Sequence, residues 1–235
     1  MESSVALDKG ERPVSDSSVD VRADFITKTY THLFGAIIAF TMLEIVLFQS
    51  GFAQSYLQTI VGLPKPGLII GGAFVLVSWF ASHAAGTARS LAVQYLALTA
   101  FVVAEAVVFI PLLWFANVAA PGTIQTAAYI TLGGFAALTG IAFYTRKDFS
   151  FLGALLSWIG VCALLAILAS LVFGFTLGPW FAAAMVAFAG GCVLYDTSNV
   201  IHHYPADRYV AASLALFSSV AMMFYYVLRL LSSRR

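Results

Sequence analysis

Seven long apolar runs dominate this chain of 235 residues, and they restrict its fold more than any other feature. A helix that crosses a bilayer needs about 20 mostly apolar residues, and each run is close to that length. Polar or Gly/Pro-containing segments separate the runs, and such segments end helices. The predicted spans are about 30–50, 67–84, 91–114, 124–144, 150–173, 179–201 and 208–231.

Composition supports a membrane location for these helices. Hydrophobic residues make up 61% of the chain and charged residues only 10%, whereas a soluble domain is about a quarter charged. The net charge of +1 gives no basic surface for nucleic acid. Because the connecting segments are short, consecutive spans should be antiparallel neighbours. We therefore predict an all-α integral membrane protein, a seven-transmembrane-helix bundle in the lipid bilayer.

The N-terminal segment differs in character from the rest of the chain. Residues 1–29 are polar and lack the apolar core of a signal peptide, so we predict a disordered tail there and a transmembrane domain over 30–235. With seven spans, eight Lys and Arg residues fall on the side of this tail and four on the other side. The positive-inside rule then predicts a cytoplasmic N-terminus and an external C-terminus. The three arginines near the C-terminus favour the alternative, in which one segment is re-entrant and both ends are cytoplasmic.

Three carboxylates fall inside predicted spans: Glu44, Glu105 and Asp196. An ionised acid at the bilayer centre costs roughly 2.5 to 3.5 kcal/mol, so each should face the bundle interior, be protonated or have a partner. Cys192 and Asn199 lie four residues before and three residues after Asp196, on the same helix face. Asp196 is thus a candidate proton switch or cation ligand. The alternative is an interfacial acid solvated at the helix end.

The sequence allows more than one role for Glu105 and Glu44 and for the bases near Asp196. Glu105 lies deeper in its span and is either a neutral, hydrogen-bonded carboxyl or part of a proton relay. Glu44 lies near the outer end of the first span and can also simply reach the interface. Arg89, with Arg146 and Lys147, is predicted on the same side as Asp196, so an ion pair between Asp196 and a base is allowed.

No enzyme class fits the sequence. There is no GxSxG motif for a serine hydrolase, and no second aspartate within a span for an intramembrane aspartyl protease. No His, Cys or acid cluster has the spacing of a zinc site. We therefore predict a protein that is not an enzyme and has no cofactor or metal centre.

Several segments resemble a known family. The sequence YDTSN at 195–199, followed by AASLALF at 211–217 and a last apolar helix, resembles the Bax inhibitor-1 (transmembrane BAX inhibitor motif) family. FITKTY at 25–30 and TRKDFSFLG at 145–153 are similar to its bacterial YccA-like branch. The resemblance covers nearly the whole chain from Phe25. It implies a seven-helix bundle in the bacterial inner membrane.

The resemblance implies two functions. Members of the YccA-like branch are partners and substrates of the ATP-dependent membrane protease FtsH and modulate its removal of membrane proteins, which is the leading expectation here. Other members are pH-sensitive calcium leak channels, in which an acid in the sixth span pairs with an acid in the seventh. Those positions correspond to Asp196 and Ser219, so the second carboxylate is a hydroxyl in this chain. The alternative expectation is a calcium or other cation leak that is gated through Asp196.

Overall fold

The structure is a computed structural model that describes residues 13–88 and 90–233. In these ranges a short 3-10 turn, Val14–Asp16, is followed by eight α-helices, and only an isolated bridge between Pro13 and Pro205 has β geometry. The helices are α1 Val19–Gln49, α2 Phe52–Val61, α3 Pro66–Thr87, α4 Leu91–Ala119, α5 Thr123–Thr145, α6 Leu152–Phe173, α7 Gly178–His202 and α8 Tyr209–Ser232.

The seven predicted spans are confirmed as helices. All helices except α2 are long and apolar enough to cross a membrane. Their limits lie within about five residues of the prediction, apart from the start of α1. Long runs of apolar residues are a local property of the sequence, so length and composition were sufficient to find them.

The start of the first span differs from the prediction. A disordered tail was predicted over residues 1–29, but α1 begins at Val19 and the turn before it is also ordered. The physical reason is a buried face at the helical spacing of four residues: Phe25, Thr29 and Leu33 are each no more than 2% exposed. Residues 1–12 of the predicted tail lie outside the described part of the chain.

The helix α2 was not predicted, because no span is expected between residues 50 and 67. Gly51 has a φ of 80°, a left-handed conformation that glycine adopts without strain, and it reverses the chain directly after α1. The ten residues that follow form a short helix that buries Ala53 and Ile60.

The last span is the centre of the bundle. The helix α8 packs against α1, α3, α4, α5 and α7, and most of its residues are buried. Its first half, YVAASLALFSS, is rich in Ala and Ser, and small side chains let helix backbones approach closely in a membrane. The large apolar side chains of the outer helices, such as Phe34 and Trp158, remain exposed where lipid would surround them.

Candidate functional site

Asp196 in α7 is joined to Ser219 in α8 by a direct hydrogen bond. The Ser219 hydroxyl donates to Asp196 Oδ2 at 2.5 Å. Both residues lie within long spans, and Ser219 is buried. The structure therefore brings together the two positions that the resemblance paired, and in this chain the pair is a carboxyl and a hydroxyl.

A cavity of about 400 Å³ adjoins this pair, between α3, α6, α7 and α8. Polar groups that line it include Asp196, Ser219, Ser218, Cys192, Tyr195 and Tyr204. Tyr204 belongs to the connection between α7 and α8, and burial raises the pKa of its hydroxyl above the ordinary value, so the phenol stays neutral. The cavity thus has a carboxylate and several hydroxyl groups against apolar walls, a composition suited to binding water or a small cation.

The local neighbours of Asp196 divide into two groups. Cys192 lines the same cavity, as the shared helix face predicted. Asn199 does not line it. The backbone carbonyl oxygen of Asn199 accepts hydrogen bonds from the N–H groups of His203 and Tyr204 at 2.8 and 3.0 Å. These bonds form the C-terminal end of α7.

Asp196 forms no ion pair with a base in the described part of the chain, although the sequence allows one. There, the acids in ion pairs with Lys, Arg or His are Asp24, Asp148 and Asp207. Arg208, in the α7–α8 connection, donates instead to the Gly86 carbonyl oxygen at 2.7 Å. The predicted candidate Arg89 lies outside the described residues.

A second polar cluster lies at the same end of α7 and was not predicted from the sequence. Asp148, in the connection between α5 and α6, contacts His203 Nε2 through Oδ2 at 3.0 Å and accepts from Ser150 N through Oδ1 at 2.8 Å. The buried hydroxyl of Ser198 accepts from Phe149 N at 2.8 Å. The hydrogen bond from the Ser150 N–H, helped by His203, lowers the pKa of Asp148 to about 2. These contacts therefore hold the α5–α6 connection against the end of α7.

The N-terminal residues also form hydrogen bonds with the end of α7 and with the connection that follows it. We call residues 13–18 the N-terminal strap. Val14 N donates to the Tyr204 carbonyl oxygen at 2.8 Å, and the Ser15 hydroxyl donates to the His202 carbonyl oxygen at 2.9 Å. Val14 is fully buried, and Arg22 at the start of α1 donates to the Ser15 carbonyl oxygen. The strap thus binds the α7–α8 connection, which includes Tyr204 of the cavity.

The remaining two acids do not line the Asp196 cavity. Glu105 is 6% exposed and lines a second, adjoining cavity between α3, α4, α6, α7 and α8. Glu44, which the sequence allowed to be solvated at the interface, is buried among protein atoms at 7% exposure. Neither of its carboxyl oxygens has a hydrogen-bond partner among the described residues. Within residues 13–88 and 90–233, no group of three His, Cys, Asp or Glu side chains is arranged to hold a metal ion.

Comparison with known proteins identifies the family. The family model described as "Inhibitor of apoptosis-promoting Bax1" matches residues 22–235. Bax inhibitor 1 of Schizosaccharomyces pombe is 36% identical over 115 residues, 46% of this chain and 41% of that protein, so the match spans less than half of that relative. Protein LIFEGUARD 4 of Arabidopsis thaliana is 30% identical over 237 residues, 93% of this chain and 90% of that protein.

A bacterial relative is also similar over most of the chain. The modulator of FtsH protease YccA of Escherichia coli is 27% identical over 179 residues, which cover 74% of this chain and 78% of that protein. The family match over nearly all of the chain agrees with the seven apolar helices found in the structure. The chain is a multi-pass membrane protein that belongs to the Bax inhibitor-1 family.

Proposed function

We propose that this protein is a regulatory protein of the bacterial inner membrane that modulates an FtsH-type protease, both as a partner and as a substrate that is hard to extract. Similarity to YccA of Escherichia coli over 74% of the chain supports this role. The N-terminal segment, which the positive-inside rule predicts on the cytoplasmic side, would be the part of the chain that the protease motor grips. The role is regulatory and needs no catalytic residue of this chain.

The packing of the N-terminal helix carries this proposal. A motor that pulls on the N-terminus must first detach the strap from Tyr204 and His202 and then withdraw α1. The helix α1 packs directly against α8, the most buried span, and against α4. Withdrawal of α1 would thus disrupt the centre of the bundle rather than a peripheral hairpin. A substrate that is gripped but resists unfolding occupies the protease and slows the removal of other membrane proteins.

Reconstitution with the protease tests this function. The chain, purified FtsH and a second membrane-protein substrate would be placed in one set of proteoliposomes, and the degradation rate of the second substrate would be measured. We expect the intact chain to lower that rate, and a variant without residues 1–12 to have no effect. An unchanged rate with the intact chain, or equal slowing by both forms, would overturn the proposal.

A proton-sensitive cation leak is the second candidate function, and one observation favours it. Asp196 and Ser219 line a cavity of about 400 Å³. Tyr204, to which the N-terminal strap binds, lines the same cavity. Calcium flux into liposomes that contain the protein, at pH 6 and pH 8, tests this candidate. Flux that depends on pH in the wild type but not in Asp196→Asn would support it. Flux equal to that of empty liposomes at both pH values would exclude it for calcium.

A further inference from the structure

The cavity beside Glu105 adjoins the cavity beside Asp196, and Phe188, Ser218 and Met222 line both. It has a volume of about 740 Å³, within the range of pockets that take small organic ligands. Its walls are mainly apolar and include the aromatic side chains of Phe74, Phe109, Phe188, Tyr225 and Tyr226. It runs from Glu105, near the middle of α4, to Arg229, in the last turn of α8.

Glu105 is the feature of this cavity that its own packing does not explain. The residue is 6% exposed, and its carboxyl forms no hydrogen bond or ion pair with any described residue. A buried carboxyl without a partner is costly, because it loses its interactions with water and gains none in return. Asp196, by contrast, has the Ser219 hydroxyl as a partner. Glu105 lines the cavity, so a ligand there can supply the missing partner.

The glycines of α3 show why this space is open. Gly71 and Gly72 line the cavity, and a Cβ atom built on either residue would meet no atom within 4 Å. At the membrane-face end the walls close, because a Cβ on Gly67 would lie 2.8 Å from Leu171 Cδ2 in α6. The open space therefore lies beside Gly71 and Gly72, where α3 faces the part of the cavity that α6 also lines.

The charges in the cavity favour one class of ligand. A fatty acid with its carboxylate at Arg229 would place its chain against Glu105 and leave that carboxyl still unpaired. A lipophilic amine would instead put its ammonium group at Glu105 and its apolar body along the aromatic walls, which also attract cations. The amine can take the proton from a neutral Glu105 side chain, so an ion pair forms from two neutral groups without net transfer of charge into the membrane.

We infer that this cavity is a binding site for lipophilic amines, with Glu105 as the anionic partner of the amine nitrogen. The inference goes beyond the proposed protease regulation and does not depend on it. Access would be from the membrane, through the space between α3 and α6 beside Gly71.

Equilibrium binding in lipid nanodiscs tests the inference. The probe is radiolabelled 4-phenylbutylamine, with uptake by empty nanodiscs subtracted, and the competitors are unlabelled 4-phenylbutan-1-ol and 4-phenylbutyrate. We expect saturable binding of the amine to the wild type. Neither the alcohol nor the acid should displace it at a tenfold excess, because neither carries a cation.

Three variants separate a specific site from general partition. Glu105→Gln should lower the amine affinity at least tenfold, whereas Glu44→Gln, which alters a carboxyl equally buried and unpartnered but outside this cavity, should leave it unchanged. Gly71→Leu keeps Glu105 and should also weaken binding by filling the cavity. Undiminished binding in Glu105→Gln, or displacement by the alcohol as effective as by the amine, would overturn the inference. Binding of the acid that depends on Arg229 would overturn it in favour of an anionic ligand.

Discussion

The Ser219 hydroxyl donates a 2.5 Å hydrogen bond to Asp196 Oδ2 and so links α8, the central helix, to α7 at the edge of a cavity. We expect Ser219→Ala to destabilise the bundle by roughly 1 kcal/mol, because the Asp196 carboxyl loses this partner and interhelical hydrogen bonds in membranes have about that value. Thermal unfolding in detergent measures the effect. Ser218→Ala is the matched control, since Ser218 lines the same cavity but does not bond Asp196. Equal loss of stability in both variants would mean that the hydrogen bond has no role.

A carboxyl at position 219 should change the pH response of the bundle. In Ser219→Asp two carboxyl groups would lie within hydrogen-bond distance, and they repel when both are ionised. We expect this variant to lose stability as the pH rises from 5 to 8, more steeply than the wild type. The melting temperature at several pH values in that range measures the difference, and parallel curves would show that the two groups do not interact.

The hydrogen bond from Ser150 N to Asp148, together with the contact of His203, should stabilise the protein in a defined pH range. Because the pKa of Asp148 falls from 3.8 to about 2 in the folded protein, its contribution is complete above about pH 4 and is lost as the pH falls toward 2. The side chain is 46% exposed, so the contribution should be small. We expect Asp148→Asn to melt slightly below the wild type at pH 7 and together with it at pH 2. Asp207→Asn is a control at another exposed loop acid.

The N-terminal strap should depend on Val14. Val14→Asp places a charge at a fully buried position, whereas Val19→Asp makes the same change at a residue that is 80% exposed, in the first turn of a helix where an acid is favourable. We expect Val14→Asp to detach the strap and to raise amide hydrogen exchange over residues 202–208, with no such change in Val19→Asp. Unaltered exchange in Val14→Asp would show that the α7–α8 connection is stable without the strap.

The close approach of α6 to α7 should be sensitive at Gly153. A Cβ atom there would lie 2.9 Å from the ring of Tyr195, which lines the Asp196 cavity, whereas a Cβ at Gly133 would meet nothing within 4 Å. We expect Gly153→Ala to cost about 1–3 kcal/mol through overpacking. Gly133→Ala should be neutral or stabilising, because alanine favours the helix. Unfolding in detergent distinguishes the two, and equal stability would show that the Tyr195 ring moves freely.

The spans could be predicted because the length of an apolar run can be read directly from neighbouring residues. The start of α1 could not be predicted in this way. The burial of Phe25 and Thr29 depends on helices that lie far along the chain, so residues 19–29 looked like a polar tail. The available signal was the spacing of four residues between Phe25, Thr29 and Leu33, but the charged residues around Phe25 made the segment look like a polar tail.

The candidate site could be predicted only in part. The costly position of Asp196 in an apolar helix made it a candidate, and its pairing with Ser219, 23 residues away, was expected only from the family resemblance. The contact of Asp148 with His203 joins residues 55 apart and had no local pattern. The burial of Glu44 was also missed, since a position near a helix end is compatible with either lipid interface or core.

Reconstitution with the protease can show whether resistance of the bundle to unfolding protects other membrane proteins. FtsH, a second membrane substrate and either the wild type or Ser219→Ala would be reconstituted together, and the degradation of both proteins would be followed. We expect Ser219→Ala to be degraded faster than the wild type and to protect the second substrate less, with Ser218→Ala unchanged. If Ser219→Ala is measurably less stable yet is degraded at the wild-type rate and protects equally well, resistance to unfolding is not the source of the regulation.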